Sequence, residues 1–550
     1  MPKKAAHSLE ASSKTVALPK ELNEVAEMLK SQDIKVIDQA VEAWSAFAAI
    51  KPEAADKLLA KVGVYADGEW DQGARFSRND EDRQKPLSYA LLSLLSRAPA
   101  DTRGAFLREN IKTLEIITPE IPLLLGFKGL QSLNLRIEQD NGAETCRKLY
   151  WEERVSALPN LQRLELFVPN ERCTPKSLKA FGSACLEWVD VCGEFLQSIE
   201  GLEISKVLRV VKISNRIREM DYAVDLSPLR PSSSTLNDLD INFCQVDDLA
   251  PIADCKDLRV IKMLQSKVRS IKDLPVLSGE SLVVPSTVTS LAGIEKQHAI
   301  KKLVVHSDAG EDLRLIDSLS SLESLCLDFN YDFSLKASDW PALTGLTGLK
   351  RLEIVGPTLE SLPTQWPPSL VELEVEHCYE IASLGALPPS LQGLLNLGQN
   401  RKLGSLDGIE ACNQLKEVEV NLKCKDISAA CQLTDTWIIM RLKSGSRPSD
   451  IAPWVEQLAA APSCKLRPVI KECDRRNELS DLNAFAAIPG LRALDLSSLD
   501  VRDPFAILSM NNLEYLQVRP RSELSKKFGA ITIKGVDKIA ALKLKLLALG

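Results

Sequence analysis

The chain is poor in several things that usually carry chemistry. Aromatic residues make up 5% of its 550 residues, and there are four histidines, His7, His298, His306 and His377. Thirteen cysteines are present, an odd number and about 2% of the chain, with no C-x-x-C pair among them. That usage argues against structural zinc and for reduced thiols in a reducing cytoplasm. Secretion as an effector, by a route without a cleaved signal, stays open. No run of 18 apolar residues occurs, so no transmembrane helix is expected. The N-terminal MPKKAAHSLEASSKTVALPK has no apolar core, so it does not read as a secretory signal, and Met-Pro excludes the myristoylation pattern. The phosphate-binding, zinc-protease, nucleophile-elbow and dinucleotide motifs are all missing, which argues against those chemistries, though not against a site assembled from distant residues. No cofactor and no metal are expected. Lysine and arginine total 68 against 75 acidic residues, a net charge of −7. A chain of that balance lacks the basic footprint that nucleic acid requires.

What is present in excess is leucine, 85 residues or about 15% of the chain. Hydrophobic and charged shares of 45% and 26% are those of an ordinary globular protein. Length alone suggests three or four domains, but such an excess calls for a search for repeats first. Residues 1–19 read as a disordered tail. Residues 20–110 read as a helical module: Leu22, Val25, Ala26 and Leu29 share one helical face, and Ile34, Ile37, Ala40, Val41 and Trp44 continue that spacing. Pro52 stands where a third helix would start. Residues 66–86 read as a polar loop, with Trp70 and Phe76 docking on the first repeat or marking a binding loop. Residues 87–98 read as another apolar helix.

From residue 111 the pattern changes. The unit L-x-x-L-x-L, aliphatic substitutes allowed, occurs in clean form thirteen times, from LQSLNL at Leu130 to LEYLQV at Leu513, most often 22 residues apart. Degenerate copies lie near Leu282 and Leu391. Two weaker ones, around Thr436–Ile438 and Leu466–Ile470, flank a helix-like segment at 448–461. The x-L-x-L-x alternation has period 2 and predicts a short strand with its leucines inward. Each unit leaves a leucine face open, so neighbours must stack into a parallel-stranded solenoid. The expected organisation is a repeat array over 111–535 of about 17 units, irregular at 421–490, with a capping helix at 536–550. The basic amphipathic stretch VDKIAALKLKLLAL (536–549) is also of a kind that touches membranes or partner helices; no membrane partner is expected.

This array resembles the leucine-rich repeat superfamily, with the 21–22-residue spacing of the short bacterial and SDS22-like classes. LPTQWPPSLVELEV (362–375) and LPPSLQGLLNL (387–397) are similar to the proline-bearing repeats of bacterial type III effectors. The resemblance implies an α/β solenoid with its strands on a concave side, and a non-enzymatic scaffold for protein–protein interaction. In the family an asparagine three residues past the last leucine bonds the backbone of the turn. Here that position holds Asn330 once, Cys244 and Cys378, Ser266 and Asp308. KECDRRNEL, with Cys473, faintly resembles the site of bacterial effector ubiquitin ligases. A bacterial effector or defence sensor with a cryptic cysteine-dependent or recruiting role is therefore the alternative. In that family a large helical domain follows the repeats, whereas here they resume at Leu491, so a charged turn is the expected role of this phrase.

The third, fifth and seventh positions of each unit point out of the core. Earlier copies place a mixed set there, including Arg163, Phe167, Trp188, Lys212 and Lys262. Later copies turn acidic: Glu353, Glu372, Glu374, Glu376, Glu417 and Glu419, with Arg351. Like charges on strands about 4.8 Å apart repel. A protein partner with a basic surface would relieve them; otherwise they splay into solvent. Phe167 and Trp188 are of the type found at interface hot spots, although Trp188 could instead pack under a loop.

Overall fold

A computed structural model describes residues 20–29, 31, 34–51, 58, 74–75, 85–100, 103–118, 121–137, 151–156, 158–168, 174–194, 196–215, 223–306, 310–329, 340–356, 358–421, 423–433, 435–442, 448–461, 464–470, 478–496, 500–503, 505–518, 532–534 and 539–540. The tail, Trp70, Phe76, Asp308, Asn330, Cys473 and most of 536–550 lie outside them. The chain divides into two compact units, Met1–Arg269 with Asp273–Ser278, and Ser270–Lys272 with Gly279–Gly550.

The first unit begins with helices Lys20–Met28 and Ile34–Ile50. Leu22, Val25, Ala26 and Leu29 of the first, and Ile37, Ala40, Val41 and Trp44 of the second, are buried. Helix Lys85–Ser96 buries Ala90, Leu91, Leu92, Leu94 and Leu95 in near succession. That marks a helix packed on several sides rather than one. A further helix, Arg103–Asn110, docks through Arg108, whose Nη1 donates to the carbonyls of Leu95, Ser96 and Ala98 at 3.0–3.2 Å. These carbonyls gather at the C-terminal end of Lys85–Ser96, where a cation is favoured.

Seven parallel strands follow in register: Thr113–Thr118, Ser132–Ile137, Arg163–Phe167, Trp188–Gly193, Val210–Asn215, Asp238–Asn242 and Val260–Lys262. A two-residue strand, Ala74–Arg75, pairs parallel with Leu114 and Glu115, inside the segment expected to be loop. The inward row Leu114, Leu133, Leu164, Val189, Val211, Leu239 and Ile261 is fully buried. At about 25 cal/mol per Å² of apolar surface, each such side chain contributes about 2 kcal/mol.

The second unit stacks eleven parallel strands: Ser281–Val284, Lys302–Val305, Ser324–Asp328, Arg351–Val355, Glu372–Glu376, Leu394–Leu397, Glu417–Asn421, Trp437–Leu442, Cys464–Ile470, Leu491–Leu496 and Tyr515–Val518. Thr532–Lys534 then pairs antiparallel with the last of these. The segment expected to be irregular holds two full strands, Trp437–Leu442 and Cys464–Ile470, paired over six residues. Their crossover is an α-helix, Pro448–Ala459, anchored by buried Trp454, whose Nε1 donates to the Cys424 carbonyl at 2.7 Å. Most other crossovers in both units are single 3-10 turns such as Leu202–Ile204 and Ile409–Ala411. About 22 residues per repeat leave little room for a long helix. The proline-bearing repeats have none: Ser369 Oγ donates to the Thr347 and Leu349 carbonyls, and Trp366 Nε1 to the Ala386 carbonyl.

At the ends of several strands a polar residue turns inward. Cys244 and Cys378 are buried there, each with Sγ 3.3 Å from the carbonyl two residues earlier. Ser266 Oγ donates to the Ile241 carbonyl and accepts from the Cys244 N–H. Asn400 spans the Cys378 N–H and the Val375 carbonyl. Asn215 does the same at Leu196 and also donates to Cys244 Sγ. Phe243, Gln265 and His377, one residue before Cys244, Ser266 and Cys378, have φ of 53–56°, the left-handed turn that aims the next side chain into the core.

Candidate functional site: the open face of the repeat sheets

Because successive side chains of a strand alternate, burying the leucine rows forces the third, fifth and seventh positions onto the opposite face. All twelve residues singled out from the spacing stand there. The two units are described in turn.

In the first unit, Trp188 is the centre. The Arg163 guanidinium lies 4.4 Å from its ring centroid and Lys212 Nζ 5.0 Å from it, one from each neighbouring strand. Arg136 stacks in the same way on Phe167, at 4.5 Å. These are cation–π contacts in which the ring face attracts the cation. The Trp188 Nε1 is buried without a hydrogen-bond partner among the described residues. Arg163 also donates to Glu165 at 2.7 Å. Burial pushes the Asp190 and Asp240 carboxyls up, while Lys212 and Lys262 respectively hold them down. Lys262 itself is exposed.

In the second unit the acidic positions are close but not bare. Glu353 faces Glu374 on the next strand, and Arg351 faces Glu372. The Arg351 guanidinium instead reaches Glu374. Asn396 Nδ2 donates to Glu376 at 2.6 Å. Arg441 Nε donates to Glu419 at 2.7 Å, with its Nη2 3.8 Å from Glu376. Arg467 donates to Glu417 at 2.9 Å and to Asp495 at 2.8 Å, and its guanidinium lies 5.1 Å from the Trp437 ring centroid. Trp437 and Tyr515 meet edge-on at 5.6 Å. Ala493, Asp495, Ile439, Asn396 and Glu419 are buried although their positions point out of the core.

This corrects the expectation of uncompensated glutamates. The cations that pair with them, Arg441 and Arg467, stand on the two strands whose repeats lack clean spacing, as does Lys465. From Arg351 to Tyr515 the open positions still hold seven carboxylates against four cations. Glu372 has no ion pair among the described residues. Desolvation pushes the Glu374 carboxyl up, Glu353 and Glu376 add to the push, and Arg351 opposes it. Burial would lower the Arg467 guanidinium, but Glu417 and Asp495 outweigh it and the net shift is upward.

Several of the described thiols are held protonated by burial. Burial raises Cys244, Cys378 and Cys424 to about 12, and Cys255, Cys412 and Cys431 to about 11. A thiol at those values is almost wholly protonated near neutrality, and the thiolate is the nucleophile. Nine of the described cysteines are free thiols. Among the described residues no group of three His, Cys, Asp or Glu is gathered as for a metal, and no helix is long and apolar enough to cross a membrane.

Parallel one-strand units, inward leucine rows, tight outer turns and an inward polar ladder occur in both units. Each is a leucine-rich repeat solenoid. No family model matches the chain, and no curated protein matches it. Solved structures do. An internalin from Listeria monocytogenes is 17% identical, over 60% of this chain and 85% of that one, with a TM-score of 0.34. A leucine-rich repeat protein from Leptospira interrogans is 17% identical, over 76% and 87%, with a TM-score of 0.31. The functional domain of InlJ from Listeria monocytogenes is 12% identical, over 66% and 74%, with a TM-score of 0.34.

Proposed function

We propose that this chain is a non-enzymatic scaffold that recognises a protein partner through the open strand face of its repeats, in a reducing, cytoplasmic setting. The observation that carries the reading is the chemistry of that face in the second unit. Carboxylates outnumber cations there, and Glu374 is held partly desolvated among Glu353 and Glu376. A partner surface bearing lysine or arginine would relieve that excess and be steered to it. Glu353, Glu372, Glu374, Glu376, Glu417, Glu419 and Arg351 form this surface. In the first unit Trp188 and Phe167, held by Arg163 and Arg136, with Lys212 on the Trp188 ring and Lys262 three strands further along the same face, are rigid amphipathic anchors of the hot-spot type.

The experiment is affinity capture from the native extract with three chains: the parent, Glu372→Lys with Glu374→Lys, and Trp188→Ala. Partners held by the parent and lost from the charge-reversed chain are expected, with capture falling as salt is raised. If every partner is retained by both variants, the open face is not the recognition surface.

A further inference from the structure

A cavity of about 420 Å³ lies inside the first unit, away from the strand face. Helix Ile34–Ile50 forms one wall, helix Lys85–Ser96 with Arg97 another, and Leu123 with the short helix Trp151–Arg154 a third, leaving one side open to solvent. Its charges come in both signs and equal number: Lys35, Arg97 and Arg154 against Asp38, Glu42 and Glu153. They are graded in depth. The inner pair, Arg154 with Asp38 at 3.5 Å, has side chains only 10% and 28% exposed, while the outer pair, Arg97 with Glu42 at 3.8 Å, is 40% and 68% exposed. The outer separation exceeds the 2.7–2.9 Å of a closed charge-assisted hydrogen bond. Ser93, 1% exposed, also lines the cavity, and its Oγ has no hydrogen-bond partner among the described residues. A buried hydroxyl left unsatisfied is costly and calls for an explanation.

We propose that this cleft binds a small zwitterion of about dipeptide size. An apolar ligand finds only Val41 and Leu123 to pack on. A simple anion or cation meets as many repelling groups as attracting ones. A molecule carrying a carboxylate and an ammonium group satisfies both sets at once. Its carboxylate sits toward Arg97, its ammonium toward Glu42 and Glu153, and a backbone polar group reaches the Ser93 hydroxyl. The volume falls within the range of small-molecule sites. Bound there, the ligand would tie helix Ile34–Ile50 to the start of the repeats, a role distinct from partner recognition on the strand face.

The test is saturation-transfer NMR on the full chain with alanyl-alanine as probe, beside its N-acetylated and C-amidated forms. Transfer to the free dipeptide is expected, at least about fivefold weaker for each blocked form, each having lost one charge. The double variant Arg97→Gln with Glu42→Gln removes the exposed pair, keeps the parent circular dichroism and loses the transfer. No transfer up to about 10 mM probe overturns the proposal. So does equal transfer to the blocked forms, or undiminished binding by the double variant.

Discussion

Arg467 holds two carboxylates, Asp495 on the next strand and Glu417 two strands back. Asp495 is 5% exposed, so removing the guanidinium weakens the pairing of a nearly buried charge. Arg467→Ala should therefore cost about 2 kcal/mol in urea denaturation, less than a fully buried pair because Arg467 keeps some solvent contact. A loss within error would mean that the guanidinium is not what stabilises Asp495. Glu374 acts in the other direction. Its folded-state carboxyl is raised, so the folded chain binds a proton there more tightly than the unfolded one. The resulting penalty is absent below the unfolded carboxylate range and fully present above the folded value, so stability falls as pH rises between them. Glu374→Gln should then be more stable than the parent at pH 7 and close to it near pH 4. An equal difference at both pH values would show that the change acts through packing rather than ionisation.

At the scale of elements, the strands that lack clean spacing show where reading from sequence stops. Strand Trp437–Leu442 buries Ile438 and Met440, and strand Cys464–Ile470 buries Leu466 and Pro468. The leading leucine is gone from both: Thr436, buried and donating to the Leu415 carbonyl, stands just before the first. A proline inside a strand also argues against a strand by propensity. With the motif hidden, Arg441 and Arg467 cannot be placed on the open face from spacing alone, and the glutamates look unpaired. Carrying the strand period through residues 435–470 places them. Asn215 escapes the ladder rule for a similar reason, because it sits two residues past its last inward position rather than three. The helix between the two strands is visible in its apolar spacing. Trp454→Ala removes its buried anchor and should cost about 4 kcal/mol. Limited proteolysis should then cut first near this helix; a first cut elsewhere would show that the helix is held by other contacts.

At the scale of the whole molecule, the leucine period is enough to read most of the strands. Each copy is one strand whose inward positions nothing else can fill, and thirteen clean copies leave little freedom of topology. The face chemistry is legible only in part, because it depends on register between strands rather than on any one repeat. Stacks of this kind derive stability mainly from neighbours. Leu303, fully buried in strand Lys302–Val305, is a case within the second unit. Leu303→Ala should cost about 3 kcal/mol. Hydrogen exchange should quicken most in Ser281–Val284 and Ser324–Asp328 and least in Tyr515–Val518. Uniform quickening along the unit would mean one cooperative block rather than nearest-neighbour coupling.

The three residues Thr532–Lys534 run against the direction of every other strand in their stack. A parallel array has no intrinsic stopping length: its last strand offers the same hydrogen-bonding edge that each earlier strand offered to its successor. Left open, that edge is a template onto which a strand of another molecule could add, leading toward fibres. Reversing direction changes the pattern of donors and acceptors, so the new edge no longer matches an incoming repeat. The reversed segment is only three residues long, and a short edge strand offers little to pair with. Among the described residues, the parallel order of the second unit therefore stops at Tyr515–Val518.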